Sequence, residues 1–306
     1  MGGGGGGGGA GSSGGEQGLE RLRERAAEQV ARAQFDSEVN ARLDEELRNL
    51  NNRDVELVRR RLDELEEALG DEVDEIDRML FGGSIAKHTF VDGLSDVDVL
   101  VMLKKVADLS PTEAREQFAD ALRERLRDTA EVTVGQLAVT VRYGDGLEVQ
   151  LLPAIQQGEH RAISSPDGSE WVQIRPGNFA RRLTELNKAQ AGAAIPAIKL
   201  AKAIIAHELA EPERPTGYHL EALSVAAFAN YRGPRDPKSM LTHLFGSAAN
   251  DVLRPIPDVT GQSERVDAYL GAGGSAARTR VSAAFNAIAE RMQQSSNLDD
   301  WNGLLD

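Results

Sequence analysis

The spacing of apolar residues changes twice along this chain. In residues 16–69 they recur at three- and four-residue steps, as Leu43, Leu47, Leu50 and then Val55, Val58, Leu62, Leu65 and Leu69, in a background dense in Glu and Arg. That is the pattern of amphipathic helices laced by opposite charges four apart. Asn51-Asn52 interrupts it and Gly70 is a candidate C-cap, so two helices are predicted. After Leu80 a short polar stretch leads into Val97-Asp98-Val99-Leu100-Val101-Met102-Leu103, a run with the length and β-branching of a buried strand. Ser110 followed by Pro111 predicts a helix start, and the helix runs to about Arg127 with Phe118, Leu122 and Leu126 on one face. Residues 132–143 alternate as a strand. After the Gly144-Asp145-Gly146 turn, residues 147–154 read as another, ended by Pro153. Residues 156–176 are polar, with Ser164-Ser165-Pro166-Asp167-Gly168 as a loop. Beyond Asn178 the pattern is helical, with loops near 211–217, 231–237 and 254–264.

This order places a sheet in the first half and a helical lobe in the second, an α/β (α+β) fold class. Residues 1–15 are Gly/Ser-rich and are expected to be a disordered tail. Residues 16–175 are expected to form the N-terminal helices and a sheet lobe, and residues 176–306 a helical lobe.

Composition narrows the functional classes. A chain of 306 residues with 41% hydrophobic residues can bury a sizeable core. It has no cysteine, which excludes disulfides and Cys-based zinc sites and is compatible with a reducing cytosol. No apolar run approaches the ~20 residues that span a bilayer. The first residues lack the basic-then-apolar order of a secretory signal, so a cytoplasmic protein without membrane partners is expected. The formal net charge of −14 argues against gripping long nucleic acid, whereas small nucleotides need only a few basic residues.

The chemistry concentrates in residues 80–103. Asp96 and Asp98, two apart on a strand, project to the same side. Adjacent carboxylates repel and lose solvation, an arrangement a cation relieves, and hard oxygen donors suit Mg²⁺. The turn Gly82-Gly83-Ser84 precedes Asp96 by 12 residues. Gly83 would let the backbone approach a phosphate, and a helix starting at Ser84 would aim free N–H groups at it. Lys87, His88 and Thr89 follow. A metal-binding strand edge beside a phosphate-binding turn points to nucleotidyl transfer. Two-metal chemistry calls for a further carboxylate from a neighbouring strand, here residues 147–154.

The Gly-Ser turn followed by Asp-x-Asp resembles the signature of the polymerase-β-like nucleotidyltransferase superfamily. Within it, the chain looks most like the bacterial cGAS/DncV-like nucleotidyltransferases (CD-NTases) of CBASS anti-phage systems, over about residues 53–300. The resemblance implies a long N-terminal spine helix, for which residues 53–69 are the candidate, a catalytic sheet and a C-terminal helical lobe. It implies Mg²⁺, with Mn²⁺ as the alternative, at Asp96 and Asp98. ATP or GTP would be the substrates, and a cyclic di- or trinucleotide the product that reaches a downstream effector. A template-independent RNA 3′-end transferase and a catalytically weak nucleotide sensor are the other readings.

In most relatives the third acid sits three residues before the proline of the Leu-Leu-Pro-Ala segment. Here that residue is Gln150, which can ligate through oxygen but cannot act as a base. Glu148 lies two residues earlier on the same strand face. Three readings stay open: Glu148 as the third acid, which is adopted; Gln150 as a ligand; or a strand without that function. The resemblance also assigns the donor triphosphate to a lysine-bearing helix, with Lys199 the better match and Lys202 the second. Thr216-Gly217-Tyr218-His219-Leu220-Glu221 resembles a helix start that touches the triphosphate, with Gly217 in the place of a serine. Tyr218 is either a base-stacking or a core residue, and Glu221 is positioned to pair with a lysine of the preceding helix. The segment 254–263 is similar to a loop near the nucleotide pocket.

Overall fold

The structure, a computed structural model of the chain, describes residues 13–51, 55–70, 76–81, 87–91, 97–103, 109–165, 167–210, 214–260 and 263–305. Two helices lead, α1 (Ser13–Asn51) and α2 (Val55–Gly70), divided where the Asn pair predicts. Residues 13–15, expected in the tail, lie in the first turn of α1. The rest of that expectation falls on residues 1–12, outside the described residues. The two helices serve different cores. Val39 and Leu43 of α1 are fully buried against the helical lobe, whereas Leu62 and Leu65 of α2 are buried against the sheet. Residues 53–69, the spine candidate, thus pack on the sheet through α2, while α1 packs on the helical lobe.

The sheet has the strands β1 (Ile76–Phe81), β2 (Val97–Leu103), β3 (Ala130–Val134), β4 (Val139–Tyr143), β5 (Glu148–Gln157), β6 (His160–Ser164) and β7 (Trp171–Ile174). Their order is β1-β2-β5-β4-β3, with β6 paired to β5 and β7 to β6. The sheet is mixed: β2 and β5 run parallel and the other pairs antiparallel. Helix α3 (Pro111–Leu126) starts as predicted, with a reciprocal capping box between Ser110 and Glu113. Its Phe118 and Leu122, with Leu62 and Leu65, cover the face formed by Val97, Val99, Val101, Val141 and Val149. Full burial of each such side chain stabilises the fold by roughly 1.5–3 kcal/mol.

Two strand expectations need correction. Residues 132–143 are two strands, because Gly135 N donates to Ala138 O at 2.8 Å and reverses the chain. Pro153 does not end β5. It falls between the pairing with β4, which stops at Leu151, and that with β6, which starts at Ala154, so no antiparallel partner needs its missing N–H. The polar stretch 156–176 contains the β6–β7 hairpin, whose Ile163 and Ile174 pack with Leu100 and Met102 on the second sheet face.

The helical lobe consists of α4 (Pro176–Ala189), α5 (Ala194–Glu208), α6 (Gly217–Phe228), α7 (Pro237–Asp251), α8 (Ala276–Gln294) and α9 (Leu298–Leu305). Leu200, Ile204, Leu223, Phe245 and Phe285 form its core. Trp301 is fully buried, and its Nε1 donates to Ser295 Oγ at 2.7 Å, which fastens α9. Among the described residues no single helix is long and apolar enough to cross a membrane.

Candidate active site

The site begins on the second sheet face. Asp98 is the second residue of β2 and is half-buried. Its register partner across the parallel ladder is Gln150 of β5, which is in turn paired with Thr140 of β4. Directly opposed residues share a face. Glu148 lies on that face two residues before Gln150, opposite Arg142, whose Nε donates to Glu148 Oε1 at 2.5 Å. Asp96, Gly83 and Ser84 lie outside the described residues. The donors that Asp98, Glu148 and Gln150 bring to this face are all oxygen, which is the chemistry Mg²⁺ and Mn²⁺ take. The residues therefore fit such an ion. Among the described residues, though, no three His, Cys, Asp or Glu side chains converge, so Asp96 would be needed to complete a three-carboxylate set.

The basic half of the site comes from both lobes. Lys202 of α5 is buried, and its Nζ donates to Glu221 Oε1 and to the Thr89 carbonyl, both at 2.9 Å. Lys87 Nζ donates to Glu221 Oε2 at 2.5 Å, and Thr89 Oγ1 donates to Glu221 Oε1 at 2.5 Å. The pairing of Glu221 with a lysine of the preceding helix is thus present. Burial pushes the Lys202 pKa down. Glu221 opposes this, Lys87 adds to it, and Asp98 opposes it. Burial alone would raise the Glu221 pKa, but the two lysines and Thr89 hold it below the usual carboxylate value.

Lys199, three residues before Lys202, is only partly buried and donates to Asn51 Oδ1 at the end of α1 at 2.5 Å. Of the two α5 lysines, Lys202 is the one joined to Lys87 and Glu221. The sequence places Lys202 opposite the aliphatic residues. It is buried nonetheless, because Glu221 and a backbone carbonyl satisfy its charge.

Tyr218 stands beside this cluster. Its ring packs edge-on against Phe179 of α4 at 4.8 Å between centroids, and Lys87 Nζ lies 5.0 Å from its centroid. Its hydroxyl donates to Asp258 Oδ1 at 2.7 Å. Asp258 also accepts from the backbone N and hydroxyl of Thr260 and of Ser263, so one carboxylate gathers both residues. Thr216 caps α6 by accepting from His219 N at 3.2 Å. A Cβ at Gly217 would lie 3.5 Å from Lys202 Nζ, an ordinary contact.

Beneath α6 sits a second buried network. His219 Nδ1 is hydrogen-bonded to Tyr269 Oη at 2.8 Å, and Arg278 Nη1 donates to Asp267 Oδ2 at 2.6 Å. Asp267 Oδ1 accepts from Ile256 N, and Arg278 also binds the carbonyls of Val252, Arg254 and Gly271. The network holds the loop that carries Asp258. Sequence reasoning missed it, although a signal was present: Arg278 continues the apolar stripe of Val281, Phe285, Ile288 and Met292 on α8. Phe179 and the role of Asp258 carried no comparable signal.

The mixed sheet, with the Asp98 strand parallel to its neighbour, is backed by a helical lobe that supplies Lys202. No protein-family model and no curated protein matches the sequence. Solved structures do match in fold. E. coli CdnC with ATP is 20% identical with a TM-score of 0.64, over 88% of this chain and 96% of that one. The Bradyrhizobium diazoefficiens CD-NTase CdnG in complex with GTP is 15% identical with a TM-score of 0.62, over 80% and 88%. The Vibrio cholerae DncV cyclic AMP-GMP synthase is 10% identical with a TM-score of 0.60, over 94% and 89%. The chain has the fold of the cGAS/DncV-like nucleotidyltransferases.

Proposed function

We propose that the chain is a Mg²⁺-dependent nucleotidyltransferase that joins nucleoside triphosphates, ATP or GTP among them, into a cyclic di- or trinucleotide. The observation that carries this reading is the buried Lys87–Glu221–Lys202 cluster, which joins the segment just ahead of β2, the strand of Asp98, to the helical lobe. The strand can hold a cation and the cluster can neutralise a triphosphate. Asp96, Asp98 and Glu148 would hold the metal, and Mn²⁺ would serve in its place. A bound metal supplies positive charge to the attacking and leaving oxygens of an in-line displacement. Lys87 and Lys202 take up charge on the donor phosphates, and Gly83, Ser84 and the Gly217 helix start offer backbone N–H groups to them. A ribose hydroxyl oxygen forms a bond to the α-phosphorus, the bond to the β-phosphate oxygen breaks, and pyrophosphate leaves. Glu148 would take the hydroxyl proton. The ring of Tyr218 stands beside Lys87. In this reading the chain works in the cytoplasm and its product reaches a separate effector in anti-phage (CBASS) signalling.

Incubation with Mg²⁺ and the four ribonucleoside triphosphates, followed by mass spectrometry, tests the proposal. A phosphatase-resistant cyclic product is expected. Extension of an RNA 3′ end would refute it. A second reading, a nucleotide-binding sensor with weak catalysis, draws on the amide of Gln150 opposite Asp98 and the engagement of Glu148 by Arg142. Binding of triphosphate without pyrophosphate release would favour it.

A further inference from the structure

Glu221 is 1% exposed, and both of its carboxylate oxygens are engaged, by Lys202, Thr89 and Lys87. Lys202 and Glu221 belong to the helical lobe, on α5 and α6. Lys87 and Thr89 lie in the segment just ahead of β2. The bonds from Lys87 and Thr89 to Glu221, and from Lys202 to the Thr89 carbonyl, therefore cross between the lobes. One carboxylate holds two ammonium groups in a largely dry setting. Unpaired charges in such a setting are costly, and two ammonium groups without a shared anion repel. Lys87 is further enclosed by the rings of Phe179 and Tyr218, 5.5 and 5.0 Å from its Nζ.

We propose that Glu221 is a positioning residue that holds Lys87 and Lys202, from opposite lobes, as a preset pair for the donor triphosphate. The proposal rests on the nucleotidyltransferase reading above. It makes a prediction opposite in sign to simple charge counting. Removing a negative charge beside an anion site should tighten anion binding. If Glu221 is the anchor, its removal disperses the lysines and weakens binding.

The test is calorimetric binding of a non-hydrolysable ATP or GTP analogue with Mg²⁺ to the full chain. Glu221→Gln should weaken binding by roughly tenfold or more, the scale of a hydrogen bond to a charged group. Its KM should rise while its kcat changes far less, and Glu221→Asp should restore part of the affinity. The loss on Glu221→Gln should be smaller in a Lys87→Met background, because the two residues act through one contact. Tighter or unchanged binding in a folded Glu221→Gln protein overturns the proposal. Should that variant fail to fold, Lys87→Met, which leaves the Lys202–Glu221 pair intact, must still weaken binding, and unchanged affinity overturns the proposal. Product formation by the wild type together with unchanged affinity in the variants sinks this inference alone. Analogue binding without any pyrophosphate release sinks the enzymatic reading, and the Glu221 series then still decides the anchor role.

Discussion

Asp98 on β2 and Gln150 on β5 are register partners across a parallel ladder, which puts an amide beside the carboxylate of the candidate site. The nearest acid on the same face of β5 is Glu148, held by Arg142. With Glu148 as base and ligand, Glu148→Gln should lower kcat by about 10²–10⁴-fold, the usual contribution of such a group. Gln150→Ala should cost far less. Steady-state kinetics at saturating triphosphate measure both, and the reverse order would move the third ligand to Gln150.

Arg278 and Asp267 form a fully buried ion pair at 2.6 Å, and Arg278 also gathers several loop carbonyls. Arg278→Ala would leave the Asp267 charge buried without this partner. Removing one member of a buried pair typically costs about 3–5 kcal/mol. Urea denaturation should show a loss of that size, and a loss below about 1 kcal/mol, typical of an exposed pair, would show that the pair does not hold the loop.

His219 is fully buried, and burial lowers its pKa from 6.5 to about 4, with Asp267 opposing the shift and Arg278 adding to it. The folded state therefore favours the neutral ring. Below pH 6.5 the unfolded chain binds a proton that the folded chain refuses, so this contribution to stability is full above pH 6.5 and is lost as pH falls toward about 4. Thermal unfolding of wild type and His219→Asn between pH 7 and pH 4.5 should show a steeper acid-side decline in the wild type. Parallel curves would contradict the buried neutral histidine.

Gly217 stands where the resembled family has a serine, and a Cβ there meets only the end of Lys202 at ordinary contact distance. Its backbone is not left-handed, so a side chain brings no strain. Gly217→Ser should leave the melting temperature within about 2 °C, the scale of a ~1 kcal/mol change in a protein of this size. The KM for triphosphate should be no higher. A raised KM in a folded protein would mean that the helix start needs glycine to admit the substrate.

Local signals fixed more of the fold than of the site. Ser110-Pro111, the Asn51 break and the alternation around Val149 each determine structure through nearby chemistry, and each is found where the pattern puts it. The reversal at Gly135 left only a one-residue slip in the alternation, from Val132 and Val134 to Leu137, Val139 and Val141. Pro153 misled for a different reason: whether a strand tolerates a proline depends on which neighbour needs its N–H, and only the sheet order decides that. At the site, residue type revealed the acids and lysines. The choice between Lys199 and Lys202 depended on contacts 113 and 19 residues away in sequence, which no spacing rule reaches.

The most direct test of the account is pyrophosphate release from ribonucleoside triphosphates with Mg²⁺, compared between the wild type and Asp98→Asn. Circular dichroism should show the variant folded, since Asp98 lies outside the apolar core of β2. The account predicts steady release by the wild type and its loss in Asp98→Asn. Release at the wild-type rate by a folded Asp98→Asn protein would contradict it.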